Sequence, residues 1–175
     1  MSIPAGAKVL LDFISVHESG GRYDVIYGHH ERELASPITG WTIGKLLTEQ
    51  IGWGRKWHSS AAGRYQIIQT TLSSLVRSLG ISQAALFSSE AQDELGYELL
   101  RRRGYTDWTT DKLSTMAFAR SLAQEWASLP VLANTNGAHG PVRAGQSYYA
   151  GDGLNKALVS TTAFADALAR ARAAK

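Results

Sequence analysis

Apolar positions return at helical spacing along most of the chain. Val9, Leu10, Phe13, Ile14 and His17 mark one face of a first helix, and Pro4 suits its first turn. Ile43, Leu46, Leu47 and Gln50-Ile51 mark a second helix, with Thr42 as its N-cap. Leu72, Leu75, Val76 and Leu79 mark a third, closed by Gly80. Ser89-Glu90-Ala91-Gln92 reads as a capping box opening a helix that runs to Arg103. Leu113, Met116, Ala117, Arg120, Ala123 and Trp126 predict a helix over about 111–127, ended by Pro130, whose Met and Trp read as core. Leu154, Ala157, Leu158, Phe164, Ala167 and Leu168 mark a C-terminal helical region, interrupted by polar Ser160-Thr161-Thr162.

Between these helices the pattern changes. Tyr23-Asp24-Val25-Ile26-Tyr27-Gly28 is rich in β-formers and reads as a short strand, and Arg64-Tyr65-Gln66-Ile67-Ile68 as a short extended run. Residues 29–41 read as loop, with Pro37 and Gly40 as breakers. Residues 52–63, rich in Gly and Ser, also read as loop, yet they hold two of the five tryptophans, Trp53 and Trp57. Such rings either pack a loop down or bind a ligand. Residues 131–153 form a long Gly, Asn and Ser-rich loop. The expected fold class is α+β, mainly α, in a single domain over residues 1–175.

Composition narrows the chemistry. At 44% hydrophobic and 19% charged the chain can bury a core. It has no cysteine, so disulfides and thiolate-ligated metals are excluded. No HExxH-type spacing, phosphate-binding loop or GxSxG elbow is present. A net charge of +3 permits a polyanionic partner without demanding one. Arg101-Arg102-Arg103 fits the cationic preference of a helix C-terminus better than a nucleic-acid patch. The N-terminus shows neither a signal peptide nor a membrane span.

Glu18 stands out. Leu11, Ile14 and Glu18 share one helical face, so the acid falls on the apolar stripe, immediately before Ser19 and the helix-breaking Gly20-Gly21. Burial and the negative end of the helix dipole both favour a protonated carboxyl there. A glycosidase needs such a group to protonate a leaving oxygen. On spacing alone, a Glu that turns into solvent at a frayed helix end fits equally well.

These residues carry a resemblance. Glu18-Ser19 followed by Tyr23-Asp24-Val25-Ile26-Tyr27-Gly28 resembles the catalytic segment of the lambda-phage endolysin family, lysozyme-like lytic transglycosylases. Ser59-Ser60-Ala61-Ala62-Gly63-Arg64-Tyr65-Gln66 is similar to that family's second motif, and Trp126-Ala127-Ser128-Leu129-Pro130 to a third. Gly145-Gln146 and Lys156-Ala157 are weaker matches, and the whole set is collinear over residues 9–170. The segments between Gly28 and Ser59 and after Pro130 look longer than in the lambda protein, and both resemble the lips over the family's substrate groove. The pattern of the T-even phage lysozymes is not matched, since Tyr27 occupies the position of their second carboxylate.

The resemblance implies a lysozyme-like fold and cleavage of the β-1,4 bond between N-acetylmuramic acid and N-acetylglucosamine in peptidoglycan. Glu18 would be the catalytic acid, and Tyr65, Gln66, Ser60, Trp53, Trp57, Gln146 and Tyr148 the substrate-binding residues. The product would be a 1,6-anhydromuramyl end. No cofactor or metal is implied, and the expected partner is the glycan strand alone, met by a monomer without nucleic acid or membrane. Made in the host cytoplasm without a leader, the protein would reach the wall after a holin permeabilises the membrane. Alternatives are a hydrolytic muramidase using Glu18 with Asp24 as second carboxylate, and a non-catalytic glycan-binding module. A third is a nucleic-acid binder using Arg101–Arg103 and the basic tail Arg170, Arg172 and Lys175.

Overall fold

A computed structural model describes residues 2–174. Its elements in chain order are α1 (Ala5–Ser19), α2 (Ile43–Trp57), α3 (Gln69–Leu79), α4 (Ser89–Arg102), α5 (Tyr105–Thr109), α6 (Thr115–Glu125), β1 (Thr135–Gly137), β2 (Gly140–Val142) and α7 (Thr161–Ala173). The fold is α+β and mainly helical, the lysozyme-like class expected from the sequence. Among the described residues no helix is long and apolar enough to cross a membrane.

The residues fall into two compact units. The first holds the chain up to His17 and from Tyr97 onward. Within it α1 lies against α7, since a side chain on Gly6 would meet the Ala171 carbonyl, and Phe13 stacks on Phe164 with centroids 6.2 Å apart. A second aromatic layer stacks Trp108 on Phe118 at 4.7 Å, with Tyr105 at the edge. The helix expected from about residue 111 starts only at Thr115, because Asp111 is left-handed (φ 61°) and the Ser114 hydroxyl caps the Ala117 N–H. The polar break in the C-terminal region is likewise a start: Ser160 caps α7, so 154–160 is not helical and Leu154 and Leu158 are exposed. The stretch 131–153, expected as loop, contains the β1–β2 hairpin, with Gly137 paired to Gly140. Arg101 and Arg102 pair with Glu98, and Arg103 with Glu125, so the triplet is committed to its own helix end and to α6. Lys175 lies outside the described residues.

The second unit is Glu18–Gly96. Thr42 caps α2 through the Lys45 N–H, as its place in the sequence suggests. The helix does not stop at Ile51. Its buried residues Ile43, Leu46, Gln50 and Trp53 keep helical spacing, whereas Gly52 and Gly54 face open space. Two exposed glycines cost helix propensity of about 1 kcal/mol each, less than burying an indole returns. Residues 52–57 are therefore helix, and the turn comes at left-handed His58. The strand expected at 23–28 is reduced to one bridge, Ile26 to Ala62, because Gly28 (φ 68°) and His29 (φ 59°) turn the chain at once into a 3-10 segment, Tyr27–Glu33. Ala62 bridges Ile67 in turn, so three residues lie side by side here, and a separate bridge joins Thr42 to Leu86.

Two substitutions check the reading of α2. Gly52→Ala should raise stability by about 0.5–1 kcal/mol, as for any exposed helix interior. Trp53→Ala should lower it by about 3–5 kcal/mol. Denaturant unfolding measures both, and an unchanged midpoint for each would place 52–57 in a loop.

Candidate active site

The site is built at the end of α1. Gly20 (φ 64°) and Gly21 (φ 76°) are left-handed, where other residues are strained, so the helix must end at Ser19. Glu18 is half-buried in this last turn, and Ser19 is buried. The Ser19 hydroxyl donates to the Arg64 carbonyl at 2.9 Å. The residue beside the acid is thus bonded to the second motif of the sequence.

That second motif is a reversal and not the extended run expected from its β-formers. Ala62 and Ile67 exchange both backbone bonds, at 3.2 and 2.9 Å, so the four residues between them must turn. Gly63 (φ 77°) and Gln66 (φ 49°) take the left-handed conformations this needs. The Gly63 N–H donates to the Val25 carbonyl at 2.7 Å, tying the turn to the segment that follows Glu18.

Arg64 and Tyr65, within the turn, reach inward to α4. Asp93 accepts from the Tyr65 hydroxyl at 2.6 Å, the Tyr23 hydroxyl at 2.9 Å and the Arg64 guanidinium at 3.1 Å. The guanidinium also donates to the Tyr23 hydroxyl at 2.7 Å and lies over that ring. Burial, then the bond to Asp93, pushes both phenols above their ordinary pKa, Tyr65 far above it. Both remain neutral donors at any working pH.

The expected binding residues divide. Tyr65 is 2% exposed, so its ring is core and its hydroxyl is spent on Asp93. Ser60 is also structural: its hydroxyl accepts the Gln69 N–H at the start of α3, and its carbonyl accepts from buried Gln50. Trp53 is 5% exposed among Trp41 and Trp57, which covers the flat face expected of it. Trp57 is half-buried and stacks on His30 at 4.1 Å, with Lys56 over its ring. Gln66 is half-buried. Its side-chain N–H groups donate to the Gly63 and Val25 carbonyls, and its side-chain oxygen carries no bond among the described residues. Asp24 accepts the Thr39 N–H at 2.9 Å. In the first unit, the Gln146 side chain accepts the Arg143 N–H and so closes a turn beside the hairpin. Tyr148 is half-buried, edge-on to Tyr149.

Two residues that organise this region have no counterpart among those expectations. Gln92 and Asp93 lie in α4, where the sequence suggests a capping box on Ser89. The cap is instead the Ser88 hydroxyl, which accepts the Ala91 N–H. That leaves Gln92 free to point into the core. A Gln followed by an Asp one turn into an amphipathic helix was the available signal. Among the described residues no cluster of His, Asp and Glu has the arrangement of a metal site.

Neither the curated proteins nor the solved structures gave a match. A family model described as Endolysin matches residues 10–153, a span that includes Glu18-Ser19, the 62–67 turn, Gln92-Asp93 and the β hairpin. The chain therefore belongs to the Endolysin family, phage enzymes that lyse bacterial cell wall.

Proposed function

We propose that the chain, residues 1–175 acting as one catalytic domain, is a peptidoglycan lytic transglycosylase with Glu18 as its single catalytic carboxyl group. The observation that carries this reading is the commitment of the acids that follow Glu18. Asp24 holds the Thr39 N–H. Glu31 accepts from Arg22 and the Ile26 N–H. Glu33 binds His30 at 2.6 Å and Lys56 at 3.1 Å, which hold its carboxyl below the usual range. A hydrolase needs a second carboxylate free to act as nucleophile or to activate water. A transglycosylase does not, because the muramic sugar carries its own nucleophile.

In this mechanism Glu18 gives its proton to the bridging oxygen as the bond from C1 breaks. The resulting carboxylate takes the proton of the C6 hydroxyl, and O6 attacks C1. A 1,6-anhydro ring closes, no water is consumed, and Glu18 is again protonated. Intramolecular attack is efficient because O6 is already held near C1. The side-chain oxygen of Gln66 is suited to accept the N–H of an acetamido group.

Glu18→Gln keeps the shape and removes the transferable proton. Lytic activity on purified peptidoglycan should fall by about 10²–10⁴-fold with the fold intact. A folded Glu18→Gln protein with near-normal lysis refutes the assignment.

Asp24→Asn retains an oxygen for the Thr39 N–H, so it should keep activity within about tenfold of the parent. Mass spectrometry of the released muropeptides should find anhydromuramyl ends, one water lighter than hydrolysis products. Reducing muramic ends together with an inactive, folded Asp24→Asn protein would establish a hydrolytic muramidase instead.

A further inference from the structure

The Gln92 side chain is fully buried and spans two segments that flank Glu18. Its oxygen accepts the Arg64 N–H at 2.8 Å. Its nitrogen donates to the Tyr23 carbonyl at 3.1 Å and the Phe87 carbonyl at 3.1 Å. Arg64 is also the residue whose carbonyl accepts from Ser19, next to Glu18. The backbone of Arg64 is therefore held at its N–H by Gln92 and at its carbonyl by Ser19. Gly63 makes the approach feasible: a Cβ there would collide with the Gln92 oxygen and with the Phe87 ring.

From this geometry we infer that Gln92 is a positioning residue for the lytic reaction, setting the Gly63–Gln66 turn and the Tyr23 segment relative to Glu18. The inference rests on the assignment of Glu18 as the acid. Only a buried side chain with one acceptor and two donors can satisfy these three backbone groups together, and neutral Gln does so without burying a charge. Removing it leaves the Arg64 N–H and two carbonyls to find other partners, and the turn that carries Gln66 shifts. A misplacement of about 1 Å at a catalytic constellation costs about 10²-fold in rate.

The test compares Gln92→Leu with Leu75→Ala, a core truncation in α3 of the same unit, each assayed well below its melting temperature on soluble uncrosslinked glycan strands. For Gln92→Leu, kcat should fall by about 10–100-fold while KM stays within about threefold. Leu75→Ala should leave both within about twofold, although it too lowers the melting temperature. A folded Gln92→Leu protein with kcat within about threefold of the parent overturns the inference, as does an equal kcat loss in Leu75→Ala. Should Gln92→Leu not fold, Gln92→Glu decides. Its carboxylate still accepts from Arg64 but cannot donate to Tyr23 or Phe87, whereas the protonated acid restores one donor. Its kcat relative to the parent should therefore rise as pH falls, and a ratio that does not change with pH overturns the role. Glu18→Gln, run alongside, separates the two assignments: if it stays active both fall, and if it is dead while Gln92→Leu is normal only the role of Gln92 falls.

Discussion

The Arg64 peptide backbone is fastened by side chains from two helices, and the region around Glu18 depends on that fastening. Gly20-Gly21 ends α1 cleanly but leaves the following chain without helical support. Order is restored by bonds between segments: by Ser19 onto the Arg64 carbonyl, by Gln92 onto the Arg64 N–H and the Tyr23 carbonyl, and by the Gly63 N–H onto the Val25 carbonyl. An unpaired buried backbone group costs about 1–3 kcal/mol. Alternative placements of the turn would forfeit several such bonds at once. Specific position, more than net stability, is what this arrangement supplies.

Asp93 shows the same preference for geometry over energy. Its ion pair with Arg64 is mostly shielded, and in that setting desolvation offsets much of the Coulombic gain. Replacing such a pair by apolar residues is often neutral or stabilising. What an apolar replacement could not do is collect two phenols and a guanidinium onto one carboxylate, each bond directional. Burial raises the pKa of both phenols, so each stays a donor to Asp93 as pH rises past the point where an exposed tyrosine would ionise.

The parts of this fold legible in the sequence are those governed by neighbours in the chain. The Thr42 cap, the left-handed Gly80 that closes α3 and the Gly20-Gly21 stop are local chemistry. The misread parts were decided by tertiary packing. Tyr23 to Gly28 has β-formers, but Tyr23 spends its ring and hydroxyl on Arg64 and Asp93, and two left-handed residues end pairing after Ile26. Gly52 and Gly54 suggested a loop, yet the buried spacing from Ile43 to Trp53 runs through them. Residues 131–153 read as one long loop, whereas Thr135–Gly137 pairs with Gly140–Val142 in a hairpin. Glu18 was legible as a candidate because an acid on an apolar stripe conflicts with simple patterning. Gln92 was hidden because its polarity fits a helix start as well as a buried bolt.

The polar groups around Glu18 also bear on the kind of chemistry the site can run. A carboxylate that fixes backbone is held to one position by the bonds it accepts, and moving it to serve a reacting atom would forfeit them. Asp24 and Glu31 do such work, and Glu33 is held by the His30 and Lys56 side chains, all in the sixteen-residue stretch Glu18–Glu33. A reaction that draws its nucleophile from the substrate places no further demand on them, and its rate rests on how accurately one proton donor and the sugar are held. Under the proposed reaction that demand would fall on the anchored turn, where Gln66 has both amide hydrogens committed to backbone and its oxygen left to meet a ligand. A group pinned in this way is preorganised: it can accept a hydrogen bond without paying to reorient, which is where an electrostatically assembled site gains most.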